Sequence, residues 1–238
     1  MTRRPTRLDK KFDLLREKTE RGALKAASSN RALNKLASNK LAVLGLAFVT
    51  IMILSSVFAP LVTQYDPQKV DLRMMLKPPS ADHILGTDKI GRDVFARIIY
   101  GGRISILVGL GSALGAALIG VSIGAYTAYK GGWLDSTFLR ISEVVMSFPQ
   151  IILVLMLVTI LGQSLMNLII IFTLTGWGSL YRLTRAQMLS LREEEYVQAL
   201  RAFGLNTFTI CFKHILPNAL GPIMVNITLS TAMFILQE

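Results

Sequence analysis

Charge, cysteine and histidine are all scarce in this sequence, and each scarcity removes a class of function. Only 17% of the 238 residues are charged while 52% are hydrophobic, and the mean hydropathy is +0.48. A soluble domain carries about 25% charged residues, so a balance this apolar places the chain in a membrane. Cys211 is the single cysteine and has no partner for an internal disulfide. Two histidines and one cysteine offer no metal-ligand spacing. Gly86 and Gly91 are spaced as in a phosphate loop, but Arg92-Asp93 follow them where that loop needs Lys-Ser/Thr. No other stretch matches, so the chain has no nucleotide site of its own. A cleaved secretory leader is not expected either, since about forty polar residues precede the first apolar run.

What is present is a series of apolar runs divided by basic segments. Residues 1–40 are polar and basic, a cytoplasmic tail by the positive-inside rule. Leu8, Phe12 and Leu15 have helical spacing there and allow a helix resting on anionic lipid, although a solvated tail is the simpler reading. Residues 41–62 are uncharged and long enough for a first span, with Pro60 near its end as a stop or kink. Residues 63–103 form a mixed external loop, and 104–238 hold four further runs. These are Ile104–Tyr129, Ser142–Leu161, Leu168–Tyr181 and Leu220–Leu236, separated by tight turns at 130–135 and 162–167 and by a polar segment at 190–217. The prediction is therefore an all-α integral membrane protein with five spans.

Charge distribution sets the orientation. The net charge of +11 invites a nucleic-acid reading, but the chain lacks a recognisable binding motif or interleaved aromatics. Twelve Lys+Arg lie in the tail, two in 130–140 and five in 182–213, against seven in 63–103 and none in 162–167. Basic flanks mark the cytoplasmic side, so the tail and the 190–217 segment are expected inside.

Within the spans, Gly109, Gly111, Gly115, Gly120 and Gly124 allow close helix approach in lipid. Pro149 and Gln150 sit near the start of the third span, where a proline beside a polar side chain opens backbone carbonyls toward a cavity. They are translocation-path candidates, with packing or a local hydrogen bond as the equal alternative. Trp177 and Tyr181 near the end of the fourth span fit an interfacial belt. Arg140 and Glu143 lie at a boundary where snorkelling removes most of the cost of charge. The spans carry no charge in their interiors, which counts against a proton relay.

Two polar stretches carry the specific signals. In 83–109, HILGTDKIGRDVFARIIYGGRISILVG, Gly86-Thr87-Asp88 and Gly91-Arg92-Asp93 are turn and cap signals ahead of a short helix with Asp93 as N-cap. Arg92, Arg97 and Arg103 can pair with Asp88 and Asp93. In 193–218, EEEYVQALRAFGLNTFTICFKHILPN, three acids open a helix whose stripe is Tyr196, Leu200 and Phe203, with Ala199 and Ala202 keeping the surface shallow. Gly204 ends it, a second short run spans Phe208–Phe212, and Leu216-Pro217 reads as a stop. The picture is a helix–Gly–helix elbow at the membrane surface, offering an apolar face to a partner.

This elbow resembles the EAA loop of ABC-importer permeases. Ala199, Gly204, Leu216 and Pro217 fall on that pattern, whereas Gln198 replaces the Glu, Leu200 the second Ala and His214 the usual Ile. The earlier stretch resembles the segment before the second span in the dipeptide/oligopeptide branch, through His83, Leu85, Gly86, Thr87, Asp88, Gly91, Arg92, Asp93, Arg97, Tyr100, Gly101, Arg103 and Ser105. Order and spacing of the two match the "C"-type permease of that branch.

The resemblance implies a type I importer permease bundle in the cell membrane of a bacterium. Its partners would be a second, homologous permease, two P-loop ATPases and an extracellular substrate-binding protein, with lipid around it and no nucleic acid. The chain itself would be non-catalytic and without cofactor, ATP and Mg2+ being used by the ATPases. Gln198, Ala199, Leu200, Gly204, His214, Leu216 and Pro217 would form the ATPase-coupling surface, and the cargo would be di- or oligopeptides. Another small solute of the same branch, such as a nickel chelate, and an ion-gradient-driven secondary transporter are the alternatives. Such permeases have six spans, and this chain stops at Glu238 behind the fifth. The expectation is a fragment or a shortened gene, and the second case allows an inactive protein.

Overall fold

A computed structural model describes residue 34 and residues 36–238. The tail reading at Leu8, Phe12 and Leu15 lies outside the described residues. The chain divides into two units, residues 1–58 and 59–238.

In the first unit α1 spans Lys40–Val57. Asn39 caps it, its side-chain oxygen accepting from the Ala42 amide at 3.2 Å. The helix has no charged residue after Lys40 and ends ahead of Pro60.

The second unit is helical apart from the loop at its start and one isolated bridge between Thr87 and Asp93. Its helices are α2 (Ala59–Val62), α3 (Val94–Lys130), α4 (Gly132–Ser147), α5 (Gln150–Leu161), α6 (Leu165–Leu191), α7 (Glu195–Ala202), the single turn α8 (Thr207–Thr209) and α9 (Leu216–Gln237). A π-helical segment, Ile210–Ile215, joins α8 to α9.

Helix α3 is 37 residues long, on the order of 55 Å, well beyond the hydrocarbon thickness of about 30 Å. The short helix expected after Asp93 and the second span are one element. Asp93 caps it as predicted, accepting from the Ala96 amide at 2.6 Å. Its main neighbour is α6. The two backbones come close where side chains vanish: a methyl on Gly120 would strike the Trp177 carbonyl, and one on Gly124 the Tyr181 carbonyl. That is the small-residue packing expected in lipid, where close van der Waals contact replaces the hydrophobic drive.

Among the described residues three helices are long and apolar enough to cross a membrane: Lys40–Val57, Val94–Lys130 and the continuous run Thr207–Gln237, with mean hydropathies of 2.1, 2.2 and 1.8. The third predicted span is broken. Helices α4 and α5 meet at 87° across Phe148-Pro149, and the pair counts as a fourth crossing only if taken together. The proline ring and its missing N–H break the helix at this point. Helix α6 is 27 residues long but is diluted by Gly, Ser, Thr and two arginines in its second half. It is not among the helices that length and composition mark as spans.

Trp177 and Tyr181 are not an aromatic belt. The helix continues ten residues beyond Tyr181, which leaves both rings mid-helix and buried, packed edge-on at 5.8 Å against each other over Ala116 and Ala117.

Candidate coupling elbow and translocation site

The elbow begins where α6 ends. Arg192 donates from Nη1 to the Ala128 carbonyl at 2.9 Å, covering an orphan carbonyl at the end of α3, and from Nε to Glu193 at 2.9 Å. After the acidic turn, α7 runs to Ala202 and closes in a Schellman motif. The Gly204 amide donates to the Arg201 carbonyl at 2.9 Å, and the Leu205 amide to the Leu200 carbonyl at 3.3 Å. Gly204 has φ +73°, a conformation that costs other residues about 1–2 kcal/mol. The sequence reading of this glycine as the helix end matches the geometry.

Asn206 then caps α8, accepting from the Thr209 amide at 2.7 Å. The expected stop at Leu216-Pro217 is absent. Pro217 instead sits in the first turn of α9, on a helix continuous from Thr207. A proline is tolerated in a first turn because the N–H it lacks has no acceptor within that helix to lose. The π segment just before it re-pairs the backbone, the Leu216 amide reaching the Cys211 carbonyl.

Beneath the elbow, Val197, Ile210, Cys211 and Ile215 are buried against Ala125 and Ala128 of α3 and Met188 of α6, with Leu200 and Leu205 packed alongside. Arg201 lies over the Tyr129 ring at 5.0 Å and donates to its hydroxyl at 3.1 Å. Asn218 donates to the Tyr196 hydroxyl at 3.4 Å and to the His214 carbonyl at 2.9 Å. The elbow is thereby pinned to the ends of α3, α6 and α9 together.

The predicted stripe of Tyr196, Leu200 and Phe203 is split by this packing. Val197 and Leu200 turn inward, while Tyr196, Ala199 and Phe203 form the outer face at i, i+3 and i+7. Phe203 is 82% exposed and Phe208 63%. Of the predicted coupling residues, Gln198, Ala199, Gly204 and Pro217 are exposed, and Leu200, His214 and Leu216 are half-buried. Gln198 holds the Glu193 carbonyl at 3.1 Å.

The stretch 71–97 folds as a knot of local bonds at the other end of α3. Asp88 accepts from the amides of Ile90 and Arg92, each at 3.0 Å, and from the side chains of Arg92 at 2.8 Å and Arg97 at 2.6 Å. Desolvation pushes its carboxyl up, but the Arg92 and Ile90 amides and the Arg92 guanidinium outweigh this and hold it well below the usual carboxylate range. Asp93 pairs with His83 at 2.8 Å rather than with an arginine, and Tyr65 packs on the His83 ring at 4.8 Å. Gly86 and Gly91, with φ +73° and +77°, pass so close to the Lys77 and Asp71 carbonyls that a side chain would not fit. Arg103 lies over the Tyr100 ring at 5.3 Å.

At the α4–α5 break a cavity of about 220 Å³ opens against α6, and Gln150 lines it. Nothing in the sequence singles out its other polar walls, Thr175 and Ser179, or Asp135. For Arg185 and Asn226 the only signals are a mid-helix charge and an amide within apolar runs. The Asn226 side-chain oxygen is buried without a hydrogen-bond partner among the described residues. No group of three His, Cys, Asp or Glu side chains among the described residues could hold a metal ion.

Residues 105–238 match the family model for the binding-protein-dependent transport system inner membrane component. The chain belongs to this family. Residues 29–79 of the permease match the N-terminal membrane domain of oligopeptide transport permease C, in line with the resemblance read from the sequence. The permease is similar to the oligopeptide transport system permease protein OppC of Bacillus subtilis, 41% identical over 205 residues, covering 85% of this chain and 67% of that one. It is as similar to the dipeptide transport system permease protein DppC of Alkalihalophilus pseudofirmus, at 41% over 206 residues, 87% of this chain and 68% of the relative. For DppC of Bacillus subtilis the identity is 41% over 207 residues, and this chain covers 65% of its length.

Proposed function

We propose that this permease is a membrane-spanning subunit of an ATP-driven importer that passes di- and oligopeptides handed over by an extracellular binding protein. The observation that carries the cargo class is the 41% identity to oligopeptide and dipeptide permeases over most of the chain. The outer face of the elbow, with Ala199, Gly204 and Pro217 exposed beside Tyr196 and Phe203, supports a coupling role. Rings this exposed on a helix pinned to three others suit a partner's groove, and a stiff contact transmits motion to the membrane helices.

The assembly contains a second homologous permease and two P-loop ATPases, which bind ATP and Mg2+; this subunit catalyses no reaction. The tail and elbow face the cytoplasm of a bacterial cell, and five segments cross its membrane. Gln150 and Pro149 border the path of the cargo.

Reconstitution tests the reading. The chain is co-purified with its partner permease and ATPases, placed in proteoliposomes with the binding protein, and given labelled trialanine. Uptake that needs ATP and is stopped by vanadate, but not by an uncoupler, is the expected result. Uptake driven by an ion gradient, or uptake of a nickel chelate in place of peptide, overturns it.

A further inference from the structure

We infer that the cavity at the α4–α5 break is a cargo subsite that recognises the neutral amide groups of a peptide main chain. The inference rests on the peptide-import reading and adds the atoms that would do the recognising.

The cavity holds about 220 Å³ and is walled by three helices, α4, α5 and α6. That is below the roughly 300 Å³ at which pockets for drug-sized ligands begin, so it suits a short extended segment. No Asp, Glu, Lys, Arg or His lines it. A charged cargo group would find no counter-ion there and would lose its hydration.

The polar atoms that do line it form a set with both donors and acceptors. The Gln150 carboxamide is half-exposed, and no hydrogen bond to its side chain is seen among the described residues. It offers an N–H and a C=O side by side, the complement of a peptide group. Thr175 and Ser179 spend their protons on the Ile171 and Gly176 carbonyls, at 2.9 and 3.0 Å. Their oxygens keep free lone pairs for a donor. Phe148 and Leu153 complete the wall and supply apolar contact for side chains of any kind.

A site built this way reads the backbone and leaves side chains and termini unread. It would accept peptides irrespective of sequence, while selectivity stays with the protein that delivers them.

Photocrosslinking in the assembled transporter tests this. A benzophenone amino acid is placed at Leu153, a wall residue, or at Leu155, which is 63% exposed. Radiolabelled trialanine is then delivered by the binding protein with ATP. The expected result is an adduct at position 153 and not at 155, reduced at least fivefold by Q150L and largely recovered in Q150N. Q150L removes only polarity at a half-exposed position, and assembly is checked by co-purification of the ATPases; S179A is the second variant should Q150L fail to assemble. Trialanine that is transported without labelling position 153, or labelling and transport untouched by Q150L and S179A alike, overturns the subsite and leaves the peptide-import reading standing. Absence of trialanine transport by the unmodified assembly overturns both.

Discussion

Arg185 grips Asp135 with two hydrogen bonds, 2.7 Å from Nε and 2.6 Å from Nη2, across fifty residues of sequence. The pair ties the second half of α6 to the first turn of α4, and the Tyr181 hydroxyl adds a bond to the Asp135 carbonyl at 3.3 Å. Fork-shaped guanidinium binding of a partly buried carboxylate combines charge with fixed geometry.

Removing one partner leaves the other charge in a poorly hydrated position. D135N or R185Q should each destabilise the chain by about 1.5–3 kcal/mol, the range for hydrogen bonds to charged groups. The double variant should cost less than the sum of the two. Thermal unfolding of the detergent-solubilised assembly, monitored by loss of the monodisperse peak, would measure this; strictly additive losses would show that the pair is not coupled.

The elbow predicts a separation between folding and transport. A199D places a charge on the outer face without touching the buried one, and G204P removes both the left-handed turn and the amide bound to Arg201. Both should insert normally and lose transport by tenfold or more. Normal uptake by A199D would end the coupling role of this face.

Contact between α3 and α6 predicts a loss of stability with no change at either site. G120L would drive a side chain into the Trp177 carbonyl and the Tyr181 amide, which are backbone atoms and cannot step aside. Overpacking of this kind costs about 1–3 kcal/mol. The yield of assembled complex should fall well below that of G221L, because Gly221 has open space around it.

For the loop around Asp88 the prediction concerns pH. A carboxyl whose folded pKa lies below its unfolded value of about 3.9 contributes stability that is present above that value and lost as pH falls through the folded one. The Ile90 and Arg92 amides should therefore stay protected from hydrogen exchange, after correction for intrinsic rates, through about pH 4. In D88N their protection should be weaker at neutral pH and insensitive to acid. Loss of protection above about pH 5 in the unmodified chain would contradict the assignment.

Local chemistry that depends on one or two neighbours could be read directly. Gly204 ends α7 because only glycine takes φ +73° without strain, and Asp93 caps α3 because its side chain meets the amide three residues on. The branch of the family was legible by another route, the resemblance of residues 83–105 to the dipeptide/oligopeptide permeases. Pro217 misled because a proline stops a helix interior but suits a first turn, and which of these holds depends on the π segment before it.

The sequence by itself determined that this chain is a helical membrane protein and where its small-residue faces lie. Composition and spacing suffice for these because lipid demands apolar helices with every backbone group paired. The family was legible too, but by resemblance of residues 83–105 and 193–218 to known permeases. Tertiary structure alone decided which side of α7 faces outward, that the third apolar run breaks by 87°, and that Trp177 and Tyr181 are core residues. It alone brought Arg185 to Asp135 and placed Thr175 and Ser179 beside Gln150. Each of these turns on which of several apolar or polar faces meets a distant helix, and in a chain apolar on nearly every side periodicity does not mark that face.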